Sequence, residues 1–157
     1  MEETSAVLGG ILSIIHPGLF EAGMQCMEIL QENPDFVAKN ERLAEIMEIW
    51  SSPFTGLSVM NNRQTPLHRD NGGGHKWLDM LASVGPYIAG RLHLPGLGYE
   101  LRYESGTVVG VTGRMVLHGA HANGQRACFA YYFRENVVKA LGVSSPKWAK
   151  IHRDGPK

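Results

Sequence analysis

His68 and Asp70 stand two positions apart in the segment Thr65-Pro66-Leu67-His68-Arg69-Asp70. In an extended chain alternate side chains share a face, so the imidazole and the carboxylate project together while Arg69 turns away. The pair forms a two-toothed clip for a metal ion. A further histidine brought beside it from a distant strand puts two imidazoles and one carboxylate on one side of the metal. The opposite positions stay open, which is the donor set that Fe(II) uses in reactions with dioxygen. His118, in Leu117-His118-Gly119, is the preferred third tooth. It ends the apolar run Met115-Val116-Leu117, which reads as a strand able to hold it rigidly, whereas His121 falls in a connection of small and polar residues. His152-Arg153-Asp154 repeats the clip in a charged tail with no strand after it to complete a site. His75 follows three glycines that fix no geometry, and His16 and His93 read as structural.

The run from Arg126 to Arg134 is dense in aromatic and apolar residues and argues a strand. One face carries Ala127, Phe129, Tyr131 and Phe133, a bulky surface for packing; the other carries Arg126, Cys128, Ala130, Tyr132 and Arg134. Small side chains beside an arginine leave a hole. A guanidinium opposite a hole suits a dicarboxylate, because its planar fork binds carboxylate through two parallel hydrogen bonds and never loses its charge. 2-Oxoglutarate is the obvious occupant. Arg126 and Arg134 compete for it, and eight residues of extended chain separate them by about 26 Å at roughly 3.3 Å per residue. The short connection from Gly119 to Gln125 folds the strand start back toward His118, so Arg126 is the expected cosubstrate arginine. Arg134 is expected at the far end, exposed or paired with Glu135.

At these residues the chain resembles the Fe(II)/2-oxoglutarate dioxygenases, and within them the TET/JBP nucleic-acid base oxygenases, most closely a fungal branch. The resemblance rests on Asn62-Arg63, the Thr65-to-Asp70 segment, Trp77-Leu78-Asp79-Met80-Leu81 with Ser83-Val84-Gly85, and Leu94-Pro95-Gly96-Leu97-Gly98. It continues through Gly106-Thr107-Val108-Val109, Gly113-Arg114, His118-Gly119 and the Arg126 strand, in unbroken order over about the second half of the chain. It implies Fe(II) on His68, Asp70 and His118, 2-oxoglutarate on Arg126, dioxygen as co-reactant, and a methyl group hydroxylated with release of succinate and carbon dioxide. For TET/JBP relatives the methyl belongs to 5-methylcytosine or thymine in DNA, on a base that leaves the stack. Arg63, Asn71 and Trp77 are the candidates for contacting that base, and a nuclear location follows from the same resemblance. Glu104-Ser105-Gly106 stands where relatives often carry a proline before the glycine. The rival readings are a dioxygenase acting on RNA, protein or a small molecule, and a catalytically silent jelly-roll binding module.

The elements that must position these residues divide near Ser51-Ser52-Pro53. Before it, apolar residues recur at helical spacing: Val7, Leu8, Ile11, Leu12 and Ile15 after a capping Ser5, then Leu19 to Leu30 beyond Pro17-Gly18, then a helix from Pro34-Asp35 toward Trp50. Residues 1–50 therefore read as support helices. After it come short strands at 54–62, 77–84, 91–94, 99–103, 107–112, 115–118 and 126–134, separated by glycine and proline. The expected fold is mainly β with α, a double-stranded β-helix (jelly roll) over 54–134 supported by N-terminal helices, with a helix from Asn136 and a tail within 135–157. The whole, 1–157, is expected to be one domain.

Fifteen basic and fifteen acidic side chains balance, so no general electrostatic pull draws the chain to a polyanion. Any DNA contact must use a local patch, and the arginines from Arg63 to Arg134 are where it would lie. Cys26 and Cys128 stand in apolar company and read as two buried thiols. With no stretch of about eighteen apolar residues and no basic leader, the protein is expected to be soluble and intracellular, off the membrane. Gly72-Gly73-Gly74, directly after the clip, reads as a lip over the site.

Overall fold

The computed structural model describes residues 2–33 and 41–149. Three helices lead: α1 (Glu2–Ile15), α2 (Pro17–Glu32) and α3 (Glu41–Ile49). Pro17 divides the first two because its ring fits a first turn but not a helix interior. His16 caps α2, its Nδ1 accepting from Leu19 N at 3.2 Å while its Nε2 donates to Lys76 O at 3.1 Å. Ser5 is not a cap: it lies inside α1, and its hydroxyl donates to the Tyr131 hydroxyl at 3.1 Å. The helix start expected at Pro34-Asp35 lies outside the described residues, as does His152-Arg153-Asp154.

The strands follow as β1 (Gly56–Asn61), β2 (Thr65–His68), β3 (Asp79–Val84), β4 (Tyr87–Leu94), β5 (Tyr99–Arg102), β6 (Thr107–Val111), β7 (His118–Gly124) and β8 (Ala127–Tyr132), with α4 (Glu135–Ala140) after them. They form two four-stranded antiparallel sheets, ordered β1-β8-β3-β6 and β2-β7-β4-β5. Each sheet mixes early and late strands, the jelly-roll arrangement expected.

Period-two alternation on β8 organises both cores. Tyr131 pairs with Met80 and Phe129 with Ala82, and these side chains face the helices together with Leu8, Leu12, Leu19, Phe54 and Phe133. The ring centroid of Phe54 lies 5.4 Å from that of Tyr131 and 5.1 Å from that of Phe133. Each fully buried side chain of this kind contributes roughly 1.5–3 kcal/mol, so the helices fix where β8 lies. The opposite face pairs Ala130 with Leu81 and Cys128 with Ser83, and looks inward toward Leu92, Tyr103 and Ala120 of the second sheet.

One expected strand is displaced. Met115 and Val116 are in a turn, both backbone N–H groups bonding Thr112 O at 2.9 Å, and the strand runs from His118 to Gly124 instead. Gly-Ala-His-Ala-Asn-Gly carries no strand propensity, but hydrogen bonding to β2 on one side and β4 on the other overrides it. β4 also begins at Tyr87, four residues before the expected Arg91, and passes through a bulge between Ile88 and Arg91.

Candidate metal centre

His68 ends β2 and His118 opens β7, and the antiparallel register pairs them directly. Side chains in such a pair touch, and the imidazole centroids lie 4.3 Å apart. His68 Nδ1 donates to Pro66 O and His118 Nδ1 to Val116 O, each at 2.9 Å. A carbonyl can only accept, so the proton sits on Nδ1 and each Nε2 presents a lone pair. Both lone pairs face Asp70, His68 Nε2 at 3.5 Å from Oδ1 and His118 Nε2 at 3.5 Å from Oδ2. Asp70 lies just beyond β2, held by its backbone N–H on Gly113 O at 3.0 Å.

The three donors fall within 4.8 Å of one another, and among the described residues they are the one such group. Separations of 3.5 Å are long for hydrogen bonds. They suit a cation between the donors, since ligand atoms bound at about 2.1 Å on adjacent positions lie roughly 3 Å apart. His118 is buried while His68 and Asp70 are half exposed. His121 belongs elsewhere: its Nδ1 lies 2.8 Å from His93 Nε2, the two rings stack, and His93 Nδ1 reaches Glu100 Oε2 at 3.0 Å.

A cavity of about 200 Å³ opens beside the triad, small for a ligand site. Leu81, Leu92, Ala120 and Ala130 line it, and Arg126 reaches it from the start of β8. Arg126 is 6% exposed, its Nε–H donates to Ser83 Oγ at 2.7 Å, and its guanidinium lies 4.9 Å from the centroid of the Tyr103 ring. Asp79 borders the same cavity, and sequence reasoning did not single it out as a site residue. Burial, then the neighbouring Asp70 charge, pushes its carboxyl up to about 7.

Arg134 is exposed, as expected, but Glu135 is not its partner: Glu135 binds Arg114 at 2.9 Å and Lys139 at 3.1 Å. Arg134 instead lies 4.5 Å above the Tyr132 ring and lines the cavity mouth with Tyr132. Its guanidinium occupies the space a Cβ on Gly72 would need. The glycine run is thus a clasped loop, tied further by Gly72 O accepting from Glu135 N at 3.1 Å and Gly73 O from Arg114 Nη1 at 2.8 Å.

Of the three residues proposed to touch substrate, only Asn71 reaches the cavity. Arg63 lines a separate polar cleft with Asn62, Gln64, Ala122, Asn123 and Gly124, which shares only Arg126 with the metal cavity. Trp77 is 3% exposed in the core, edge-on to Phe133 at 6.2 Å, its backbone N–H closing a turn on Gly74 O. It anchors the loop and offers no face to a ligand. Tyr132 and Arg134 stand on the strand face that sequence reasoning gave to Arg126, but that reasoning set Arg134 at the far end and gave Tyr132 no role.

A two-sheet jelly roll that sets two histidines, an aspartate and a buried arginine on one cavity is the frame of a non-haem Fe(II) oxygenase using 2-oxoglutarate. The chain belongs to the Tet_JBP family, the oxygenase domain of the 2OGFeDO superfamily, whose model matches residues 1–135. Fe(II) and 2-oxoglutarate are the cofactors of that superfamily. A search of curated proteins found no match.

Proposed function

We propose that this dioxygenase hydroxylates the methyl group of 5-methylcytosine, or a related methylated base, in DNA, with His68, Asp70 and His118 holding Fe(II) and Arg126 holding the distal carboxylate of 2-oxoglutarate. The observation that carries the substrate assignment is the cavity mouth. Arg134, its guanidinium 4.5 Å above the Tyr132 ring, and Asn71 offer hydrogen-bond donors, and Asn71, Gly72 and Arg134 continue into an open outer cleft. A guanidinium backed by an aromatic ring, with an amide beside it, is equipment for stacking on and hydrogen-bonding a base removed from its stack. The cavity behind it is sized for the cosubstrate, so the base would sit at the mouth.

Bound Fe(II) supplies the activation of dioxygen: one oxygen atom ends in the hydroxymethyl group, the other in succinate, and 2-oxoglutarate loses carbon dioxide. The chain's own residues do the rest. Apolar walls at Leu81, Leu92, Ala120 and Ala130 exclude water from the space between Arg126 and the triad. The two histidine Nδ1–H groups, fixed on backbone carbonyls, keep each Nε2 lone pair aimed inward. Further oxidation of the hydroxymethyl product and a nuclear location are part of this reading.

The test is single-turnover incubation with Fe(II), 2-oxoglutarate and methylated DNA under nitrogen, then oxygen, then mass spectrometry of the nucleosides. Formation of 5-hydroxymethylcytosine with matching succinate is expected. Succinate formation that ignores methylated DNA but responds to RNA, peptide or a small molecule removes the base assignment.

A further inference from the structure

We infer that Ser83 and Tyr87 are positioning residues for 2-oxoglutarate, acting through a buried one-way chain of hydrogen bonds that sets the orientation of Arg126; this rests on Arg126 being the cosubstrate arginine. Tyr87 hydroxyl donates to Tyr103 O at 2.8 Å, and a carbonyl only accepts. The single phenolic proton is thereby used. Ser83 Oγ, 2.8 Å from the same hydroxyl, must donate to it, and is left to accept from Arg126 Nε at 2.7 Å. The order Arg126 to Ser83 to Tyr87 to Tyr103 is therefore fixed, with no alternative hydroxyl arrangement.

The consequence falls on the guanidinium. Its Nε–H is taken, its guanidinium carbon lies over the Tyr103 ring, and its backbone is clasped by Asn62, whose Oδ1 accepts from Arg126 N at 2.8 Å and whose N donates to Arg126 O at 2.7 Å. With Nε–H taken, the Nη groups are what is left to meet a carboxylate, with the Tyr103 hydroxyl beside the guanidinium as a further hydrogen-bonding group. An arginine held this way loses little side-chain freedom on binding.

The fold spends backbone strain on the far end of this chain. Ala89 has φ 54°, a left-handed conformation that a residue with a Cβ adopts only under constraint, at the bulge of β4. The next residue is Gly90, where a Cβ would collide with Tyr103 O and stand 2.8 Å from the Tyr87 ring. Gly90 O also accepts from Tyr103 N at 3.0 Å. The bulge brings the Tyr87 hydroxyl onto the Tyr103 carbonyl. Ser83 is fully buried and Tyr87 nearly so, so water does not substitute for a missing partner.

The test measures ligand affinity by calorimetry on the anaerobic Fe(II)-loaded protein, using 2-oxoglutarate and 2-oxobutyrate, a 2-oxo acid with no second carboxylate. Tyr87→Phe and Ser83→Ala should each weaken 2-oxoglutarate about tenfold, the loss typical of one hydrogen bond to a charged group, and leave 2-oxobutyrate unchanged. Equal losses for both acids would mean that the two residues only support the fold, and no loss for either would mean that Arg126 needs no such orientation; both outcomes overturn the inference. Arg126→Ala is the control: if it leaves 2-oxoglutarate affinity intact, the cosubstrate reading itself fails and the inference falls with it.

Discussion

Asp70 and Asp79 converge on Gly113 from two strands' ends: a Cβ on Gly113 would collide with an Oδ2 of each. Asp70 is half exposed and faces the histidines, whereas Asp79 is buried. Burial first, and then the nearby Asp70 charge, makes the Asp79 carboxyl the one that holds its proton.

The first prediction concerns pH. The Asp79 carboxyl stands at about 7 in the fold against 3.8 in the open chain, so between those values the folded state binds the extra proton. Its contribution to stability is complete below about 3.8 and is lost as pH rises through 7. Asp79→Asn should therefore gain on the parent by roughly 1.4 kcal/mol for each pH unit across that window in the metal-free protein. Thermal melts of both proteins from pH 4 to 8 measure the difference; a constant gap would contradict it.

Gly113 follows from the same contact. Gly113→Ala should weaken Fe(II) binding by displacing Asp70, with the secondary structure retained by circular dichroism. An unchanged Fe(II) affinity would show that the Asp70 carboxylate is free to move aside.

For the triad, His68→Ala, Asp70→Ala and His118→Ala should each abolish turnover and weaken Fe(II) binding. His121→Ala should leave both in place, because that ring is engaged with His93 on another part of the sheet. Loss of metal in His121→Ala with retention in His118→Ala would reverse the choice of distal ligand.

The two arginines of one strand face should separate in their effects. Arg126→Ala should raise the 2-oxoglutarate requirement by roughly a hundredfold, a few kcal/mol for a charge-assisted pair. Arg134→Ala should spare that requirement and lower turnover of methylated DNA, while Arg63→Ala, away from the cavity, should change neither. Steady-state succinate assays with and without DNA separate the three variants.

Trp77→Ala should cost about 3–5 kcal/mol of stability, as large truncations in a core do. Any fall in DNA turnover should track the fall in folded protein, measured by denaturant melts. A selective loss of methyl-DNA turnover in fully folded protein would return Trp77 to the substrate site.

The His68-x-Asp70 clip was legible from the sequence because its geometry is local: two residues on one extended segment share a face whatever surrounds them. The alternation of β8 was legible for the same reason, and it separated the helix-facing aromatic residues from the inward Cys128 and the cavity-lining Arg126, Ala130, Tyr132 and Arg134. His118 could be preferred over His121, although the strand proposed to hold it ended where the real one begins. Propensity cannot see that Gly119 to Gly124 gains its hydrogen bonds from β2 and β4. Only tertiary structure decided that Trp77 is core, that Arg134 leans on Tyr132 and Gly72 at the cavity mouth, and that Asp79 converges on Gly113 with Asp70. The chain of Ser83, Tyr87 and Tyr103 behind Arg126 was likewise invisible, because it joins residues from separate strands through a bulge at Ala89 and Gly90. Sequence periodicity sets which face a side chain takes; which neighbours meet it there depends on strand order and register, and those are settled by packing across the whole fold.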